Sequence, residues 1–202
     1  MNNCSNLVPA IEIIGLRKVF GRKAVLNGLF LKVGWGEILT VMGSNGSGKT
    51  TLINILSTLM RPDEGRINVA GLDLSRMGRS IRRIIGVVTH EPLMYGDLTG
   101  YENLKFAGRL FGLDNVDDRV ASVTKRLEIT AYLDYRANTL SHGLQKRFSI
   151  ARALLHEPQV LIMDEATSAL DDKTENEIIE QIKRLKGEMT LIVIAHRLTT
   201  LR

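Results

Sequence analysis

Residues 43–50 read Gly-Ser-Asn-Gly-Ser-Gly-Lys-Thr, a full match to G-x-x-x-x-G-K-[ST], and the chemistry open to that pattern is the holding of phosphate groups. Gly43, Gly46 and Gly48 let the backbone curl with its N–H groups turned inward, an anion nest at the start of a helix. Ser44, Asn45 and Ser47 complete the loop, and Thr51 follows it into the helix. Lys49 would reach the β- and γ-phosphates as a point charge, both binding them and offsetting charge during transfer, while the Thr50 hydroxyl is placed to ligate Mg²⁺. A plain glycine-rich turn would have no need of lysine followed by threonine.

A second constellation closes the stretch Val-Leu-Ile-Met-Asp-Glu at 160–165. An apolar strand that ends in two carboxylates delivers them to the carboxyl edge of a sheet, where ligands of open α/β folds bind. Asp164 is the candidate for holding Mg²⁺ through water, and Glu165 the candidate for polarising the water that attacks a γ-phosphate. The alternative is a pair of acids favouring the start of the next helix.

Short apolar runs alternating with helical patterns must position these groups. Strands are expected at 10–19, 29–33, 38–42, 84–88, 160–163 and 191–195. Helices are expected at 49–59, 101–110, 116–127, from Ser141 onward, and at 174–185, with Ser141 as N-cap. The expectation is an α/β fold of the P-loop NTPase kind. It has a mostly parallel core sheet, an N-terminal antiparallel β part and an α-helical lobe inserted over about 91–155, the whole of 1–202 forming one domain.

Bulk composition narrows the class. The 202 residues are 44% hydrophobic and 24% charged, ordinary for a globular domain with its own core. The net charge of +5 suits anionic ligands or headgroups, and its densest cluster is Arg76, Arg79, Arg82 and Arg83, which reads as a solvated loop or helix face. No aromatic residues interleave with those arginines, so a nucleic-acid stacking surface is not indicated. Cys4 is the single cysteine, which fits a reducing compartment. No leader pattern opens the chain, and its longest apolar runs fall far short of the roughly 20 residues needed to cross a bilayer.

Just before the carboxylate strand stands Leu-Ser-His-Gly-Leu-Gln at 140–145, then Lys-Arg at 146–147 and Ile-Ala-Arg-Ala-Leu at 150–154. With the phosphate loop and the Asp-Glu pair, this run resembles the signature of ABC-type ATPase domains, and the resemblance extends from about residue 11 to the end of the chain. It implies that Ser141 and Gly143 contact the γ-phosphate of ATP held by a second copy, making a head-to-tail homodimer with ATP and Mg²⁺ between the subunits. His142 and Leu144 depart from the common LSGGQ form, in the manner of some haem and drug exporters, which puts the geometry of closure in question.

Four further positions follow from the resemblance. Phe20, 29 residues before Lys49, matches the aromatic that stacks on adenine, with a core phenylalanine as the alternative. Asp171, in Ser-Ala-Leu-Asp, matches the loop that touches the partner's site, and His196 matches the switch histidine facing the γ-phosphate. His90 stands near where the family has a Mg²⁺-sensing glutamine; an imidazole can ligate or hydrogen-bond in its stead, or His90 is simply a loop histidine. The resemblance also implies a transmembrane permease subunit docking on about 90–106, with Leu93, Met94, Tyr95 and Leu98 as anchors. Residence is then cytoplasmic, on the inner face of the membrane.

The function implied is ATP hydrolysis driving transport, with export of haem, a drug or a similar cargo expected. A soluble ABC ATPase, such as one serving iron–sulfur assembly, is the alternative. A third reading is an ATP-binding domain with little hydrolysis, because the chain stops six residues after His196, where the family continues with further strands.

Overall fold

Ile11 and Ile13 alternate inward along the first strand, and a register shift between Ile13 and Leu16, with Gly15 at φ 61°, returns Leu16 to the core. The computed structural model describes residues 8–164, 180 and 189–194. It runs β1 (Ile11–Phe20), β2 (Lys23–Val33), β3 (Ile38–Val41), α1 (Lys49–Leu56), β4 (Glu64–Val69) and β5 (Leu72–Asp73). Then follow α2 (Leu74–Ile84), β6 (Ile85–Val88), α3 (Gly100–Phe111), α4 (Val116–Arg126), α5 (His142–Leu154), β7 (Val160–Asp164) and β8 (Thr190–Ile194).

Two sheets result. The first has the order β2-β1-β4-β5 and is antiparallel throughout; the second has the order β3-β8-β7-β6 and is parallel throughout. This is the α/β arrangement expected, with an antiparallel N-terminal part beside a parallel core. Side chains of the parallel strands alternate between two hydrophobic clusters. Leu161, Met163, Leu191 and Val88 enter one, and Val160, Ile162, Ile192 and Ile85 enter the other.

The first cluster continues without a break into the helices between β6 and β7. Leu104 of α3, Val120 of α4 and Phe148 of α5 share it with the strand residues. Local signals set these helices. Thr99 and Glu102 form a reciprocal capping box at the start of α3, and Gly112, at φ 72°, ends it in the left-handed region that glycine tolerates.

Several boundaries differ from expectation. Helix α1 stops at Leu56 rather than 59, and β2 begins at Lys23 rather than 29. The arginine-rich stretch is a helix, α2, capped by the Asp73 carboxylate accepting from the Ser75 and Arg76 amides; Ile84 therefore ends a helix instead of starting a strand. Strands β4 and β5 were not anticipated. The helix expected at 174–185 lies outside the described residues apart from Glu180.

Candidate nucleotide site

The register of the parallel sheet lines up its carboxyl ends. Val41 pairs with Ile194, Ile194 with Asp164, and Met163 with Val88, so the ends of all four strands lie level. One strand, β8, separates β3 from β7, which sets the phosphate-loop strand and Asp164 roughly 10 Å apart, two interstrand spacings. That gap suits a triphosphate with a cation at its side.

The loop itself is built for an anion. Gly46 and Gly48 adopt φ 77° and 95°, the left-handed turns that aim successive amides the same way. Gly48 is the N-cap of α1, no side chain caps that helix, and its first turn carries no acid. Its opening amides, at Lys49, Thr50 and Thr51, therefore present partial positive charge to whatever sits in the loop. The Lys49 ammonium lies across the cradle, donating to the carbonyls of Gly43 (2.7 Å) and Ser44 (3.0 Å). Ser47 donates its amide back to the Ser44 carbonyl at 3.2 Å, closing the turn around Asn45. Thr50 is exposed at the first turn, where its hydroxyl can meet a cation.

Gly48 also binds the two sheets together. A Cβ there would stand 3.0 Å from the Val25 carbonyl oxygen and from Leu26 of β2. The β1–β2 hairpin is thereby drawn up to the loop, and Phe20 stands at its tip opposite Lys23. Phe20 is 47% exposed, with the Lys18 ammonium 5.7 Å from its ring centroid. It is not a core residue.

On α5, Ser141 is the N-cap, its hydroxyl accepting from the Leu144 amide at 3.4 Å. Ser141 and His142 are exposed and Gly143 is half-buried, so the helix start faces away from its own chain's core. Gln145 fixes the approach by donating from its amide group to the carbonyls of Ala137 (2.9 Å) and Leu140 (3.2 Å).

His90 is exposed on the loop after β6, two residues beyond Val88 and therefore beside the level of Asp164. Glu165, Asp171 and His196 lie outside the described residues. Of the four expected anchors, Leu93 and Tyr95 are exposed, Leu98 is half-buried, and Met94 packs on the lobe core. Beside Leu93, a cavity of about 210 Å³ opens between Phe111, Arg152 and His156 of the lobe and Ser57, Arg82 and Thr89 of the body.

Sequence reasoning passed over Lys146. Its side chain is buried, and its ammonium donates to the carbonyls of Thr89 (2.6 Å) and His90 (3.3 Å). Burial pushes it down to about 8, against the pull of the nearby Asp164 carboxylate. The signal was present in the spacing. Lys146, Ile150 and Ala153 follow i, i+4, i+7 on one helix face, and the second and third of these are core residues.

Among the described residues no three acidic, histidine or cysteine side chains cluster to enclose a metal. The donors that this edge offers a cation are oxygens, the Thr50 hydroxyl and the Asp164 carboxylate, the kind of ligand that Mg²⁺ takes. No helix among the described residues is long and apolar enough to cross a membrane.

Comparison with known proteins gives the same assignment. The profile of the ABC transporter family matches residues 26–168. The chain is 34% identical over 189 residues to the linearmycin resistance ATP-binding protein LnrL of Bacillus subtilis, covering 92% of this chain and 61% of that protein. It is also 34% identical to the methionine import ATP-binding protein MetN of Brucella abortus, covering 96% and 55%. It thus spans about three-fifths of the length of such relatives. Among solved structures, cbiO1 of Clostridium perfringens, part of the ABC transporter complex cbiONQ, superposes with TM-score 0.86 at 29% identity, covering 95% of this chain and 80% of that one. The ATP-binding cassette MJ0796, solved as a dimer in a post-hydrolysis state with ADP and Pi, gives 0.83 at 28%, covering 94% and 89%. Phosphate loop, level strand ends and matched relatives converge, and the chain belongs to the ABC transporter family.

Proposed function

We propose that the chain binds Mg-ATP between two head-to-tail copies and hydrolyses it to drive a membrane permease, in the direction of export. The observation that carries this is the level edge of the parallel sheet, which brings the phosphate loop and Asp164 to one side. Lys49 and the first-turn amides of α1 would hold the phosphates, and Phe20 would stack on adenine. Thr50 and Asp164 would hold Mg²⁺, which supplies charge neutralisation between the phosphates. Glu165 accepts the proton of the attacking water, and His196 donates towards the γ-phosphate oxygens. Asp171 and, on α5, Ser141 with Gly143 serve the partner's nucleotide. Each copy therefore completes the other.

Export is supported by the drug-resistance and Nod factor export proteins among the relatives, although the methionine import protein matches comparably. The cargo class is haem, a drug or a similar small molecule. The permease would dock on about 90–106 beside the 210 Å³ cavity, where Leu93, Tyr95 and Phe106 are exposed. Such docking places the chain on the cytoplasmic face of the membrane.

Light scattering on the chain with and without Mg-ATP tests the pairing. A shift from monomer to dimer mass is expected. Ser141→Ala should weaken the dimer about thirtyfold, because a hydroxyl bond to the partner's nucleotide worth about 1 kcal/mol is lost at each of the two sites. A chain that stays monomeric at saturating Mg-ATP would overturn the head-to-tail site.

His90→Gln gives a second check. If the imidazole replaces an amide oxygen, turnover should stay within about threefold of the parent, since geometry and donor capacity are kept. Collapse of turnover would show that the imidazole has a role of its own.

A further inference from the structure

We propose that Lys146 is a positioning residue that ties the N-terminal end of α5 to the loop after β6, so that the two shift together during turnover. The proposal rests on the ATPase reading above and extends it to a residue that reading does not use.

An ammonium group is costly to bury unless carbonyls or anions surround it. Lys146 meets both conditions. It bridges the Thr89 and His90 carbonyls at 2.6 and 3.3 Å and feels the Asp164 carboxylate. A methionine or leucine on this helix face would pack at lower cost beside Ile150 and Ala153.

The ammonium joins two elements of the site. Lys146 lies five residues into the helix that Ser141 caps, so a displacement of that N-terminus is carried to the ammonium through hydrogen-bonded helix. At the other end, Thr89 follows Val88 directly, and Val88 is in register with Met163, the residue before Asp164. The loop is braced on its far side by the Thr89 hydroxyl donating to the Glu91 carbonyl at 2.7 Å. Lys146 thus hydrogen-bonds α5 directly to the loop bearing His90. With that bond broken, nucleotide could still enter the cradle at 43–50, but a shift of Ser141 would no longer carry His90 with it.

The test compares Lys146→Met and Lys146→Gln with the parent by steady-state ATPase kinetics and hydrogen exchange. The methionine variant should lose kcat about tenfold while the half-saturating ATP concentration stays within about twofold, the pattern of a group acting after binding. Glutamine keeps a donor for the Thr89 carbonyl and should recover turnover to within about threefold of the parent. Amides at 89–91 should exchange faster in the methionine variant, with exchange at 43–50 unchanged. Parental kcat in the methionine variant overturns the proposal. So does a glutamine variant that folds normally yet turns over no better than a tenth of the parent, or unaltered exchange at 89–91. A methionine variant that does not fold leaves the decision to glutamine, by both readouts. A parent that takes up no Mg-ATP would sink the ATPase reading separately, while the exchange comparison would still judge the tether.

Discussion

Lys49→Ala is expected to weaken Mg-ATP binding about 100-fold, measured by isothermal titration, with little change in thermal stability. The lysine is the one side chain of the loop that brings a full positive charge, and it sits 8% exposed between the carbonyls of Gly43 and Ser44. In that setting a charge-assisted bond to phosphate is worth about 1.5–3 kcal/mol, and two such contacts outweigh the bonds to carbonyl that they replace. Every 1.4 kcal/mol is tenfold in affinity, hence the magnitude. Stability should hold because Gly43 and Ser44 are exposed and their carbonyls can take water in place of the ammonium, whose own burial cost is removed with it. Affinity equal to the parent's would remove the basis of the proposed site.

How far this site could be read in advance depends on what each feature is made of. The phosphate loop was legible because its chemistry is local: glycines at set positions, then Lys49 and Thr50, fix both backbone shape and charge within eight residues. The place of Asp164 at the end of β7 was legible because an apolar run of strand length stops at the first acid. The signature helix announced itself through its N-cap serine, observed at Ser141. Strands β4 and β5 were not singled out: Arg66 to Val69 does alternate polar and apolar, but the run is only four residues long and follows turn-forming Pro62, Asp63 and Gly65, and the pairing of β4 with β1 and of β5 with β4 is settled by tertiary packing. Helix α2 was hidden by its arginines, as only Leu74 and Ile81 of its eleven residues are buried. Lys146 was missed for the opposite reason. Lysine is expected at the surface, and nothing in the neighbouring residues shows that the partners are main-chain carbonyls 56 and 57 positions away.

The same helix carries the largest expected effect on stability. Phe148 is fully buried, and it belongs to the cluster that joins the lobe helices to Leu161 and Met163 of the sheet. Phe148→Ala should cost about 4 kcal/mol, the lost transfer energy of the ring plus the cavity it leaves, out of a total of about 5–15 kcal/mol for a domain. Urea unfolding should show a lower midpoint with an unchanged slope, because the surface exposed on unfolding is nearly the same. Gly100, the first residue of α3, supplies the internal control. A Cβ there would stand 2.5 Å from two ring carbons of Phe148, so Gly100→Ala alone should destabilise by about 1–3 kcal/mol through overpacking. With the ring gone, that methyl has room, and alanine suits a helix better than glycine. Gly100→Ala should therefore change sign, recovering about 1 kcal/mol in the Phe148→Ala background, a coupling that a double-mutant cycle reads directly. Additive losses would mean that α3 and α5 do not meet through this contact.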